Sequence, residues 1–600
     1  MRNLALFVTA ALVCHLAGPA WAQEALPSGL GSYERAALDR ALAARELAID
    51  PDPAGKVVER IHVVNQDVFA PGEGLTWFNI LHITTRERVI ERLVLLRPGQ
   101  VWSDITVKDT LRRLRDQRFS TLALIVPVVS ATPGRVDLLV VTRDVWSLRT
   151  NTDYEIQNGT LTRFILAPSE SNLFGLRKQL YLLFDLRQGE YSLGGSYLDT
   201  ALAGSRLRLS ARSTAVFGRQ SDEIEGSRTA LSLTYPLWSL TRRWGASLSV
   251  AHFDAVERDF QGGLLRRRDL ASTPDVVEEI PYLFNLRESL IDAQVTWSRG
   301  LAIKHYLSLG YELAIARPTF YQDVPSQEQC GATALDDCLA AVETDLFPRS
   351  ELSSAVYAEY SLFTPRFRTF RNVDTYDFPE ERQFGPDLSA GVALARREIG
   401  SEDNFVRLSG RLGWTFAVGA NGFARALASA ESRVQSDKLI DNRVSASLLM
   451  ASPSLGKWLR VVGRAEASAY LEERANRFFT LGGGSGLRGF GIGAFAGKSR
   501  VRGNLEVRSG SFKAWFTRMG GIAFWDLGHA ADGFDNLDIQ HNVGLGGRMV
   551  IPQAQTAVFR LDWAVPLTGD DPGFGRSRFV ISFSQAFDTI GSSPVPDTPL

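Results

Sequence analysis

Residues Phe559-Arg-Leu-Asp-Trp-Ala-Val565 alternate large apolar side chains with Arg560, Asp562 and Ala564. Successive side chains of a strand point to opposite faces, so this stretch has one apolar face and one largely polar face. The same period of two runs through Leu180, Leu182, Phe184 and Leu186, set against Gln179 and Asp185. Leu207, Leu209 and Ala211 alternate with Arg206, Arg208 and Arg212, and Phe579, Ile581, Phe583 and Phe587 with Ser582 and Ser584. The pattern starts near Ser147 and holds to about residue 588 without a helical period. It predicts a mainly β chain that forms a transmembrane antiparallel barrel of about 16–20 strands, lipid outside and a polar lumen within. Backbone groups in lipid must be paired, so the sheet has to close.

The remainder of the 600-residue chain is consistent with export. Residues 1–22 read as a secretory signal: Arg2 supplies the positive start, Leu4 to Leu16 the apolar run, and Ala20-Trp21-Ala22 the cleavage site. Beyond it no apolar run is long enough for a membrane-spanning helix. The net charge of -1 argues against a nucleic-acid partner, which asks for a basic surplus. Cys330 and Cys338 lie close together in a polar segment, and an oxidising compartment favours a disulfide between them. The seven His are scattered, so no metal site is spelled and no cofactor is implied. No nucleophile and base stand in a catalytic context, and the chain is expected not to be an enzyme.

Between signal and barrel lie two further units. Residues 23–55 hold an alanine-rich helix from Ser32 to Ile49, closed by Asp50-Pro51-Asp52-Pro53. It is expected either as a loosely ordered leader or as a helix that plugs or docks onto the barrel. Residues 56–146 have mixed patterning: a strand, a helix carrying Val89, Leu93 and Leu96, a second helix capped by Thr106, then two strands joined at Thr132-Pro133-Gly134. A three-stranded sheet of that kind keeps an edge to which an extended peptide can add. The barrel is assigned to residues 147–588, and residues 589–600 form a C-terminal tail. With the first hairpin loop outward, residues 257–282, 318–348 and 480–498 also fall outward. Residues 364–384 fall inward, against the usual short turns on that side.

Residues 482–490 read Gly-Gly-Gly-Ser-Gly-Leu-Arg-Gly-Phe, with one cation, Arg488, in a run of almost no side-chain volume. Glycine tolerates backbone angles closed to other residues, so such a run fits a narrow lumen. An arginine at its tip can hold a carboxylate through two bonds. Gly484, Gly486 and Gly489 match a dinucleotide fingerprint by letter, but no helix follows, so that reading is excluded. Ser485 is not in a nucleophile elbow, because position 487 is Leu.

A signal, one strand-helix-helix-strand-strand domain and a barrel carrying Leu487-Arg488-Gly489-Phe490 resemble the outer-membrane assembly factor superfamily. This is the BamA/TamA-like group with a bacterial surface antigen barrel, which includes the two-partner secretion transporters. The small domain resembles a POTRA module through Val89 to Leu96, Pro98-Gly99, Leu111 to Leu114 and Arg118-Phe119. Glu170-Ser-Asn172-Leu-Phe-Gly175 is similar to the turn after the first hairpin, Phe524-Trp-Asp526-Leu-Gly528 to the F-x-D-x-G strand, and Arg560-Leu-Asp562 to the penultimate strand. The resemblance implies that Arg488 enters the barrel and bonds Asp526, so that Arg488, Gly489, Phe490, Phe524, Asp526 and Gly528 lock a lid loop. Glu506, Arg508, Arg560 and Asp562 read as a lumen-facing network. It also implies an outer-membrane protein, its small domain in the periplasm, that assists insertion, assembly or translocation of client polypeptides. The alternative is a passive or two-partner-secretion-type channel. Expected partners are membrane lipids, client chains at the barrel seam and the sheet edge, and periplasmic proteins or lipoproteins. The chain departs from the family in having one such module, and in the tail after Phe587.

Overall fold

The computed structural model describes residues 30–583, apart from 70–75, 271–279, 552–557 and a few single or paired positions. The signal at residues 1–22, Phe587 and the tail at 589–600 lie outside the described residues.

The N-terminal domain is a three-stranded sheet covered on both faces. It contains β1 (Val57–Gln66), β2 (Ser120–Val129) and β3 (Arg135–Asp144), in the order β1-β3-β2. β1 runs parallel to β3, and β2 runs antiparallel to it. A sheet buried on both sides needs continuous apolar strands, and β2 is buried from Ser120 to Val128. Helices α2 (Glu87–Leu93) and α3 (Asp104–Leu114) cover one face through Ile90, Val94, Val107 and Leu114.

Helix α1 (Ser32–Arg45) covers the other face, where Ala37, Leu38 and Ala41 pack on Leu122, Leu124, Leu139 and Val141. This corrects the expectation of a leader or barrel plug: the apolar back of the sheet takes the helix first. The cap of α3 is also one turn earlier than expected, because Ser103 accepts from the Thr106 amide. Both sheet edges are partly taken. Val129 donates to Ala48 and Asp50 to Pro127, while Val58 donates to Gln100 and Trp102 to Lys56.

The barrel is one antiparallel sheet of twenty-two strand segments whose order returns to its start. Two segments, Arg366–Phe370 and Phe512–Ala514, continue strands interrupted just before them, since each shares its pairing partner with the preceding strand. Among the described residues, twenty-two minus two leaves twenty wall strands, an even number. The outer face is apolar. Leu182, Val295, Leu309, Leu412 and Leu545 are each at least half exposed, in line with Gln179 and Ser308 buried on the opposite face.

The long inward segment now has a physical account. Pro365 interrupts one strand, having no amide hydrogen to give the ladder. The chain then runs on as Arg366–Phe370, turns through residues 371–379 and returns as Glu380–Phe384. Phe370 stacks on Phe384 and meets Phe423, so this inner hairpin is fastened to the barrel by aromatic packing. A second clamp lies at the turn after the first hairpin. Asn172 Nδ2 donates to the Ile83 carbonyl at 2.8 Å, and Arg86 N donates to Gly175 O at 3.0 Å. Gly175 has φ +71°, and a Cβ there would come within 2.6 Å of the Thr84 carbonyl, so this turn admits only glycine.

At the far mouth, the segment carrying α4 (Gln327–Cys330) and α5 (Leu335–Asp345) is closed by the Cys330–Cys338 disulfide. Both cysteines are buried with Phe284, Ile280 and Phe347 in the largest apolar cluster of that end.

An arginine on the lipid face tests the orientation of the wall. Leu545→Arg is expected to lower the free energy of folding into vesicles by roughly 2–4 kcal/mol, read from urea titration of barrel fluorescence. An unchanged midpoint would remove this face from lipid.

Candidate functional site

The 479–497 loop leaves the wall on a short ladder, Phe479–Leu481 against Phe495–Gly497, and turns down into the lumen. Its tip is a tight turn in which Phe490 N donates to Leu487 O and Gly483 N to Phe490 O. Two glycines are obligatory here. A Cβ on Gly482 (φ +130°) would sit 2.0 Å from the Gly491 carbonyl, and one on Gly489 would sit 2.6 Å from Asn542 Cβ. Leu487 packs with Leu481 and Ala530, and Phe490 sets its edge on Phe495. Gly528 leaves the space that Leu481 fills, since its Cβ would meet Leu481 Cδ2 at 2.7 Å.

Arg488 is fully buried, with every guanidinium nitrogen bonded. Nε donates to Asp526 Oδ2 at 2.8 Å and Nη2 to Asp526 Oδ1 at 2.7 Å. Nη1 donates at 2.9 Å to both Glu506 Oε1 and Asp562 Oδ2. The guanidinium carbon lies 3.5 Å from the centre of the Phe524 ring, which adds a cation–π contact. The three carboxylates come from the strands Ser499–Ser509, Thr517–Ala531 and Phe559–Pro566, the first two adjacent and the third separated from them by Gln540–Val550. Their neighbours complete the shell. Asn504 and Asn542 flank Asp526 in register and each donates an amide hydrogen to it. Arg548 bonds Asp562, and Arg508 Nε donates to Glu506 Oε2 at 2.8 Å. Arg560 approaches Asp562 only to 3.9 Å.

The cluster is charge-balanced. Arg488, Arg508, Arg548 and Arg560 face Glu506, Asp526, Asp562 and Asp374, four against four. Such balance is what lets ions sit out of water, because each lost partner would leave an unpaired buried charge. The alternation is clean on either side of it: Trp525 is 42% exposed where Asp526 is 0% exposed.

Asp374 belongs to the inner hairpin, so the cluster reaches the near mouth. Arg508 Nη1 donates to the Val373 carbonyl at 2.6 Å and contacts Asp374 at 3.5 Å. Glu380 gathers the amides of Val373, Asp374 and Thr375 and so shapes the hairpin tip. The hairpin touches the N-terminal domain through Arg371 with Glu34, Glu381 with Arg115, and the Phe367 ring under Arg112. At the far mouth the loop is braced by Arg266 on Gly493 O and Gln261 on Ala494 O. Among the described residues no group of His, Cys, Asp and Glu is placed to hold a metal.

All ten residues named from the sequence for the loop and lumen lie in or beside this cluster, Arg560 at its rim. Asn504, Asn542, Arg548 and Asp374 were not named. The first three carried a signal in the period-two alternation of their own strands, although the strand of Asn542 and Arg548, Gln540–Val550, is not among those singled out from the sequence. Asp374 carried none, since no strand period places it.

No family model matches the chain, and no curated protein matches it. Solved structures of similar shape include BamA from Haemophilus ducreyi lacking POTRA domains 1–3, at 12% identity, covering 88% of this chain and 84% of that one, with a TM-score of 0.33. CdiB from Acinetobacter baumannii is 10% identical, covers 88% and 73%, and scores 0.38. CdiB from Escherichia coli is 11% identical, covers 88% and 76%, and scores 0.42. These scores are low, and the functional reading rests on this chain's own geometry.

Arg488→Ala leaves three carboxylates facing one another, and the expected cost is about 3–5 kcal/mol to the docked loop. The measurement is protease cleavage within residues 479–497 on the folded protein, which should rise sharply. Arg488→Lys should fall between, because an ammonium cannot span Asp526 with two parallel bonds. Equal cleavage in all three proteins would refute the docking.

Proposed function

We propose that this chain is an outer-membrane protein that helps client polypeptides insert into, assemble in or cross that membrane, with its N-terminal domain in the periplasm. The observation that carries this reading is the seam. The first barrel strand, Leu148–Gln157, pairs with its successor at ten positions, and the last described strand, Arg578–Phe583, pairs with its predecessor at six. Among the described residues these two strands meet at one rung, Ile581 with Tyr154. Along that described stretch the other backbone donors and acceptors are placed where another strand can take them up.

The lumen cluster complements the seam. A docked loop blocks the lumen, so an opening wall need not be a leaking one. Arg488, with Asp526, Glu506 and Asp562, acts as the lock of that loop, and Gly489 and Gly528 provide the clearance that lets it seat. The residual edge of β1 is a second place for an extended client. The coverage of 56–58 by the domain's own chain restricts it to the remainder of that strand. No nucleotide is invoked, since folding of the client into lipid supplies the free energy.

The test is a photocrosslinking residue at Ile581, with the same residue at Leu545 on the closed wall as control. Trapped polypeptides at 581 and none at 545 are expected. A Tyr154→Cys, Ile581→Cys disulfide should abolish the trapping reversibly. Trapping that persists with the seam locked would sink the proposal. Voltage-clamp recording of a chain lacking residues 482–490 separates the channel alternative, which expects high conductance without trapped clients.

A further inference from the structure

A cavity of about 720 Å³ lies at the near mouth, between α2 and α3 on one side and the barrel turns around residues 200–206 and 236–240 on the other. Its lining contains eight arginines and two carboxylates. Both carboxylates are already engaged. Asp109 holds Arg112, the Ser239 hydroxyl and the Leu240 amide, and Asp116 takes two bonds from Arg118. Eight minus two leaves Arg92, Arg97, Arg113, Arg177, Arg206 and Arg208 without a carboxylate ion pair among the described residues.

Several of these guanidiniums carry buried nitrogens with no hydrogen-bond partner. Arg177 is 2% exposed, and although Nη2 reaches Ser120 Oγ at 2.5 Å, its Nε and Nη1 have no partner. Arg113 Nη1 and Arg206 Nη1 are likewise buried and unpartnered. Burial, with Arg206, Arg208 and Arg97 nearby, pushes the Arg113 guanidinium down to about 10. Buried donors are almost always satisfied, and like charges do not gather unless something neutralises them. The wall beside them is apolar and aromatic: Leu237, Trp238, Leu240, Tyr306 and Phe367. Trp238 stands edge-on to Tyr235 and under Arg206 and Arg242. Aromatic rings at the end of a barrel mark the level of lipid headgroups.

We propose that this cavity binds a phosphate group, carried by an anionic phospholipid of the near leaflet or by a small soluble phosphate ester. The planar fork of arginine matches phosphate oxygens two at a time, and Arg113, Arg177 and Arg206 approach from the N-terminal domain, the turn after the first hairpin and a second barrel turn. A bound phosphate therefore ties the domain to the barrel. The site adjoins the first barrel strand, whose Arg149 donates to the Arg118 carbonyl, but phosphate binding does not depend on client handling.

The test uses the full chain in detergent micelles and native mass spectrometry, with three probes: dioleoylphosphatidylglycerol, dioleoylphosphatidylcholine and glycerol 1-phosphate. One phosphatidylglycerol should be retained in preference to phosphatidylcholine. Arg113→Gln with Arg206→Gln should weaken retention about tenfold or more, by loss of charge-assisted bonds. Heat-modifiable migration reports that the variant is folded, and the single Arg206→Gln at the turn stands in if the double variant is not. Glycerol 1-phosphate binding with the same sensitivity, without lipid retention, assigns the site to a soluble ester. Retention indifferent to both variants overturns the proposal. So does preferential capture of a short acidic peptide over all three probes.

Discussion

One guanidinium surrounded by three carboxylates sets the terms for the centre of this barrel. An ion buried this deeply gives little net stability relative to an apolar filling of the same volume, because desolvation offsets most of the attraction. What it does give is a single acceptable arrangement. Asp526 is met by two nitrogens of Arg488, by its backbone amide and by two asparagine amides, so its lone pairs are used up only when the loop is seated in one way. An apolar tip could slide; this one cannot without leaving charges stranded. The loop position is therefore nearly all or nothing.

The neighbouring wall is shaped to this requirement. Gly544 is there because the Phe524 ring, which faces the guanidinium, would collide at 2.2 Å with any side chain at that position. Gly546 does the same for Asp562, whose Oδ1 would lie 2.1 Å from a Cβ. Small residues on one strand thus let aromatic and acidic ones on its neighbours lean inward. The apolar rows outside are unaffected, because strand geometry sends alternate residues to opposite faces. A wall can meet lipid and hold an ion cluster with the same strands.

The barrel was legible because that alternation repeats at strand after strand, and a period survives errors at single positions. The twenty wall strands fall at the top of the expected count, with the interrupted strands accounting for the two further segments. Arg488 and Asp526 were legible for a different reason: their motif residues stand out against glycine and tryptophan. Arg548 and Asn542 were harder, since their meaning depends on which strands are neighbours, and register is a property of the closed sheet. The seat of α1 was misread because the sequence of a helix shows that it has an apolar side but not which surface it meets. Two apolar faces competed for it, and the back of the small sheet, with Leu124, Val126 and Leu139, was the nearer. The interruption at Pro365 shows the limit of periodicity: the inner hairpin follows from one missing donor, not from a pattern.

That hairpin has a mechanical meaning. Its turn contacts Arg508 of the ion cluster, while the residues beside that turn pair with the N-terminal domain, Arg371 with Glu34 and Glu381 with Arg115. A chain of charges therefore runs the length of the lumen, from a helix on one side of the membrane to a loop on the other. Tilting the domain drags Asp374, and the field around Glu506 changes with it. A displacement at one mouth can reach the other through side chains alone, without a single wall strand changing its partner.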